Sequence, residues 1–171
     1  ICGFGRTGNM WGTETFSLKP DMISCAKALS SAYLPISALM INEKIFEPMV
    51  SQSEKLGIFG HGGTYAGHPV SAAVALETLK IYEEDKIVER VKLLSPKFLR
   101  GLNNFAAHPI VGEVRGAGLM GAIELVKDKP SKTSFDQSSY VGHYCQERAR
   151  ENGLIIRAIG DSLAFCPPLI I

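Results

Sequence analysis

Apolar residues recur at helical spacing along one unusually long stretch: Ile87, Val91, Leu94, Phe98, Leu102 and Phe105. Steps of three and four residues line one face of an α-helix, so this stretch predicts an amphipathic helix, with a kink at Pro96. It constrains the fold more than any other feature because it parts two dissimilar halves. Before it, short apolar runs alternate with glycine-rich loops; after it, strand-like segments dominate. A helix in that position predicts a connector between an α/β part, residues 1–95, and a smaller α+β part, residues 96–171.

In the first half, residues 1–18 are broken by Gly3, Gly5, Gly8 and Gly12 and predict a loop. Met22–Ala26 and Leu39–Ile41 are short apolar runs bounded by turn residues, which predicts buried strands, with Pro35 in their connection. Residues 57–68 form a second glycine-rich loop. Pro69 then opens a helix over about 70–84, a favoured first position because its missing N–H has no partner there anyway. Ala72, Ala73 and Ala75 let that helix pack closely.

In the second half, residues 112–121 lead into the apolar run Ala122–Val126, which predicts a strand or hairpin. Residues 127–139 are a polar loop. Val141, Tyr144, Cys145, Arg148 and Ala149 mark a helix, and Gly153 is placed to end it. Leu154–Arg157 and Leu163–Phe165 predict two strands around a Gly160-Asp161 turn.

The 18 basic and 17 acidic residues leave a net charge of +1, so no bulk field favours nucleic acid or an anionic membrane. No apolar run approaches the roughly 18 residues of a spanning helix. Cys2, Cys25, Cys145 and Cys166 have no metal-ligand spacing and predict reduced, buried thiols in a cytoplasmic protein. His61 and His68 have no carboxylate or cysteine at ligand spacing, so no metal site is expected. The chain starts at Ile1 and stops in the apolar run Pro167–Ile171; both features predict an internal piece of a longer protein.

Four local features carry chemistry. Lys27 ends the run Met22–Ala26 and meets a small polar stretch. A lysine delivered to a loop by a buried strand loses its proton more easily, as nucleophilic amines require, but most lysines are solvated surface charges. The loop Gly60-His61-Gly62-Gly63-Thr64 runs into a helix start. Its glycines and the Thr64 hydroxyl suit a phosphate, and a mobile surface loop would have the same composition. Arg157 at a strand end can grip a carboxylate in bidentate fashion or pair with a local acid such as Asp161. Finally, Gly3-Phe4-Gly5-Arg6-Thr7-Gly8 spells G-x-G-x-x-G with Asp21 downstream. A dinucleotide site needs that motif to open a helix, and the following Asn9–Thr13 has no apolar period, so an active-site or interface loop is the better reading.

The segments Cys2–Gly8, Pro20–Leu29 and Thr64–Pro69, taken in order, resemble class-III aminotransferases, and the likeness runs over almost the whole chain. Leu29–Pro35 and Arg157–Asp161 are most similar to the branch acting on ω-amino acids or amines with pyruvate. The resemblance implies the pyridoxal 5′-phosphate (PLP)-dependent aspartate-aminotransferase fold (fold type I), represented here by the C-terminal part of the large domain and most of the small α+β domain. It implies that Lys27 bonds PLP covalently and then shuttles a proton. It implies that Gly63 and Thr64 reach the cofactor phosphate of the neighbouring subunit in a homodimer, and that Arg157 holds the carboxylate of a 2-oxo acid or amino acid. Other chemistries of the family, with 2-oxoglutarate as acceptor, an aminomutase or a decarboxylase, remain alternatives, as does a non-catalytic nucleotide-binding module. The family's ring-binding aspartate and a first phosphate loop precede the segment matched by Cys2, so residues 1–171 alone are expected to retain little PLP and to be inactive.

Overall fold

The computed structural model describes residues 2–171 and divides into two compact units. The first comprises residues up to Phe4 and Trp11–Lys86; the second comprises Gly5–Met10 and Ile87–Ile171.

The first unit opens with a one-turn helix, α1 (Gly12–Thr15), inside the expected loop. The apolar runs form β1 (Met22–Ala26) and β2 (Ser37–Ile41), an antiparallel ribbon in which Met22 faces Ile41 and Ala26 faces Ser37. These strands are not buried as expected. Every other residue of β1 is exposed, and Leu39 in β2 retains 63% of its surface. The reason is the sheet's size: among the described residues the ribbon has only two strands, and two strands cannot cover their own faces.

Helix α2 (Glu43–Leu56) was not expected from sequence. Its start is chemically explicit, since the Asn42 side chain accepts a hydrogen bond from the Ile45 N–H at 3.2 Å. It ends at Gly57, in the left-handed conformation that glycine adopts without penalty. Pro48 lies inside the helix and removes one backbone donor. Helix α3 (Pro69–Glu84) forms where Pro69 predicts, and it packs on the turn that follows β1. Its buried positions are Ala75 and Thr78.

The second unit is a four-stranded antiparallel sheet with helices packed against it. Helix α4 (Ile87–Asn103) continues through Pro96. The hairpin β3 (Val111–Ala117) and β4 (Met120–Leu125) follows, then α5 (Val141–Glu151), β5 (Arg157–Ile159) and β6 (Ser162–Phe165). The strand order is β3-β4-β6-β5, which leaves the short β5 at an edge. The period-2 alternation of β4 turns Ile123 and Leu125 inward, where they meet Leu102, Val111 and Leu163 in the core. Phe98 from α4 and Val141 and Cys145 from α5 close over this cluster. Gly121 lies on the same face; a Cβ there would sit 2.3 Å from Leu102 Cδ1, so glycine lets α4 approach the sheet.

The segment Gly5–Met10 belongs with this sheet. The Leu119 N–H in the β3–β4 turn donates to the Arg6 carbonyl at 3.0 Å. The Arg6 guanidinium donates in return to the Leu119 carbonyl at 3.1 Å and to the Pro167 carbonyl. Thr7 and Leu119 are buried there.

Candidate active site

Lys27 follows the last residue of β1 and begins a tight helical turn, Lys27–Ser30. Its backbone is left-handed, with φ 57°, and Ser31 and Ala32 are left-handed too, at 49° and 62°. Each such non-glycine residue costs about 1–2 kcal/mol, so this short loop stores strain. Hydrogen bonds hold it. Ala32 N–H donates to the Lys27 carbonyl at 3.2 Å, and Tyr33 N–H donates to the Ser30 carbonyl at 3.0 Å. The Ser30 hydroxyl donates to the Leu34 carbonyl at 2.6 Å. Leu29 and Ser30 are buried and anchor the turn, while the Lys27 side chain is exposed. The strand that delivers Lys27 is itself exposed at every other residue. A constrained backbone marks the position.

Gly63 and Thr64 lie in the loop before α3. A turn spans Thr64–Gly67, with the Ala66 N–H donating to the Gly63 carbonyl at 3.0 Å. A Cβ added at Gly60, Gly62 or Gly63 would meet nothing within 4 Å. Crowding inside this chain does not require those glycines, and the loop backbone is open to a ligand. The N-cap residue of α3, His68, makes no side-chain capping bond. A 16-residue helix therefore presents its N-terminal N–H groups just after Thr64, the arrangement that attracts phosphate. His61 and His68 lie against aromatic rings, Phe59 and Tyr65 respectively.

Arg157 is the first residue of β5, opposite Ala164 of β6, and it is exposed. Among the described residues it takes part in no ion pair. Asp161, the acid that sequence offered as its partner, is engaged elsewhere: its Oδ1 accepts the Gly142 N–H at the start of α5, at 3.0 Å. Burial pushes the nearby Cys145 thiol up from its ordinary pKa, and the Asp161 carboxylate pushes it the same way. On the same sheet face, in the row Arg157–Ala164–Ala122–Arg115, the second arginine is paired with Glu124 and Glu113. Arg157 alone of the two is free to meet a ligand.

Lys27, Gly63 and Thr64 thus belong to the first unit and Arg157 to the second. No hydrogen bond among the described residues joins the side chains of Lys27 and Thr64. The G-x-G-x-x-G segment opens no long helix; Phe4, Gly5 and Gly8 are left-handed, and only the four-residue α1 follows. Two polar residues escaped the sequence reading. Ser30 bonds the Leu34 carbonyl across the turn that begins at Lys27, and Gln146 bonds the Ala158 N–H next to Arg157; nothing in local pattern distinguishes them from surface polar residues.

The class-III aminotransferase family model matches residues 1–171. Gamma aminobutyrate transaminase 3, chloroplastic, of Solanum lycopersicum is 48% identical over 171 residues, covering 100% of this chain and 33% of its own length. Vanillin aminotransferase of Capsicum annuum is 46% identical over 168 residues, 98% of this chain and 37% of its own. Among solved structures, the omega transaminase from Pseudomonas jessenii in complex with PMP superposes with a TM-score of 0.96 at 51% identity. It covers all of this chain, which spans 38% of that one. A transaminase with L-ala gives 0.96 at 50% identity, over 100% of this chain and 40% of that one.

The chain belongs to the class-III aminotransferases, enzymes of the aspartate-aminotransferase-like fold type I whose cofactor is PLP. It spans about a third of the length of the curated relatives it matches. Its own residues fit that cofactor: an accessible primary amine at Lys27 for the aldehyde, and an open glycine backbone, a threonine hydroxyl and a helix N-terminus for the phosphate. Among the described residues no helix is long and apolar enough to cross a membrane.

Proposed function

We propose that the whole enzyme transfers an amino group from an ω-amino acid or amine to pyruvate, with Lys27 as its catalytic residue. The observation that carries this reading is the Lys27 amine itself, exposed at a strand end on a constrained left-handed backbone. When bound, PLP supplies an aldehyde for covalent attachment and an electron sink for the substrate carbanion. Lys27 Nζ would hold the cofactor covalently and, when free, would carry a proton as general acid and base. Thr64 Oγ1 and the Gly63 backbone donate to the cofactor phosphate of the neighbouring subunit, so the working unit is a homodimer. Arg157 grips the carboxylate of pyruvate through its planar fork and leaves that place for a substrate without one. Residues 1–95 are then the C-terminal part of the large, cofactor-binding domain and residues 96–171 the small domain, a division inside α4, whereas the compact units part ahead of it, at Lys86 and Ile87.

Relatives named for γ-aminobutyrate and vanillin support an ω-amino donor and an acceptor range that reaches a neutral aldehyde. Those names leave 2-oxoglutarate as the competing acceptor. Cytoplasmic placement rests on the scattered, unpaired cysteines; the relatives' names, chloroplastic and mitochondrial, favour an organelle as the alternative. Borohydride reduction of the full-length protein should fix the cofactor on the peptide containing Lys27, and Lys27→Ala should remove both the label and turnover. A label on a different lysine would refute the assignment. A screen of pyruvate against 2-oxoglutarate on the same preparation decides the acceptor.

A further inference from the structure

β5 is a poor platform for a residue that must meet a substrate. It is three residues long, lies at the sheet edge and pairs only with β6. Leu154–Ile156 just before it are outside any strand, and Ile155 is 90% exposed. Strand pairing alone would leave Arg157, its first residue, free to fray.

Helix α5 holds this edge. Gln146 Oε1 accepts the Ala158 N–H at 2.7 Å in a partly buried contact. That N–H belongs to the peptide joining Arg157 to Ala158, and it points away from β6. Nearby, Asp161 accepts the Gly142 N–H, and α5 lies so close to the β5–β6 turn that a Cβ on Gly142 would sit 2.1 Å from the Gly160 carbonyl oxygen. Gln146 therefore holds the backbone beside Arg157, and Asp161 seats the far end of the same hairpin.

We propose that Gln146 is a positioning residue that sets the enzyme's discrimination for carboxylate-bearing substrates. It fixes the Arg157 backbone while leaving the guanidinium mobile. The inference rests on the reading of Arg157 as the carboxylate grip. A substrate without a carboxylate does not use Arg157, so it should not sense Gln146.

The test uses the full-length holoenzyme and three variants at this position. Gln146→Leu removes the acceptor, Gln146→Asn is too short to reach Ala158, and Gln146→Glu keeps an acceptor oxygen at the same reach. Three quantities are measured: KM for pyruvate, KM for benzaldehyde, and the Kd of propanoate, an unreactive carboxylate, by calorimetry. Gln146→Leu and Gln146→Asn should raise the pyruvate KM and the propanoate Kd about tenfold, the scale of one well-placed hydrogen bond, with the benzaldehyde KM within about twofold. Gln146→Glu should restore both to within about threefold of the parent. Equal losses for pyruvate and benzaldehyde, or a lowered Tm with propanoate binding unchanged, would mean a purely structural role and overturn the inference. If one of the first two variants fails to fold, the other still decides. Arg157→Ala is the control for the underlying reading. If it keeps the preference for pyruvate and propanoate, the carboxylate grip is wrong and the inference falls with it. If it loses that preference while Gln146→Leu and Gln146→Asn keep it, only the inference falls.

Discussion

Gly118→Ala should be among the most damaging single-methyl additions in the second unit. Gly118 and Leu119 form the two-residue connection of the β3–β4 hairpin, and Gly118 has φ +62°. An alanine there pays the left-handed penalty, about 1–2 kcal/mol. Its Cβ would also sit 2.3 Å from the Arg6 carbonyl oxygen and 2.4 Å from Thr7 Cα. Those are backbone atoms, and the segment bearing them is tied down by the Leu119 N–H and by the two bonds of the Arg6 guanidinium. Relief means pulling the loop from the hairpin, which costs at least one backbone hydrogen bond, about 1 kcal/mol, with overpacking adding about 1–3 kcal/mol. The total is about 3–6 kcal/mol. Gly153→Ala is the matched control: its φ is +82°, yet a Cβ there meets nothing within 4 Å, so only the conformational penalty applies. Urea unfolding of the full-length protein, followed by a probe in this unit, should place Gly118→Ala about 2–4 kcal/mol below Gly153→Ala. Two variants within about 0.5 kcal/mol of each other would refute the claim that the Gly5–Met10 segment is locked against the hairpin.

Ser30→Ala should destabilise the first unit by about 1–3 kcal/mol, because Ser30 is 2% exposed and loss of its hydroxyl orphans the Leu34 carbonyl. Hydrogen exchange should show faster opening of residues 27–35, and unchanged protection there would count against a strained loop. The loop over 127–139 should loosen in acid. Hydrogen bonds from the Ser131 side chain and backbone lower the Asp128 pKa, and those from Ser138 do the same for Asp136. Folded pKa values below the unfolded value of about 3.9 give stability that is complete above that pH and lost as pH falls through the lower folded values. Amide signals of Ser131 and Ser138 should therefore shift below about pH 4 and hold steady from pH 5 to 8; a transition near neutrality would contradict the assignment.

Much of the architecture was legible because its causes are local. Pro69 at the first position of α3, the apolar period of α4 and the glycine after α5 act within a few residues of the structure they specify. α2 escaped because its evidence was mixed. Asn42 caps it, and Ile45, Phe46 and Met49 recur at helical spacing, but Pro48 interrupts the pattern and no residue of the helix is buried. β5 starts at Arg157 rather than at Leu154, because an apolar run predicts a strand but a ladder needs a partner, and β6 pairs only as far as Arg157.

The candidate site divides in the same way. Sequence by itself pointed to the family, through the segments Cys2–Gly8, Pro20–Leu29 and Thr64–Pro69, and it offered the Lys27 amine, the Gly63-Thr64 loop and the Arg157 fork as candidates, since all of these are runs of neighbouring residues. Tertiary structure alone decided how each is held. It set Lys27 on a left-handed backbone at the end of β1. It gave Asp161 to Gly142, and among the described residues Arg157 is in no ion pair. It brought Arg6 to Leu119, 113 residues away, turning a would-be nucleotide motif into a clamp on a hairpin. Such partners are chosen by which segments pack together in space, and a carboxylate or a guanidinium reads the same in the chain whichever partner it finds.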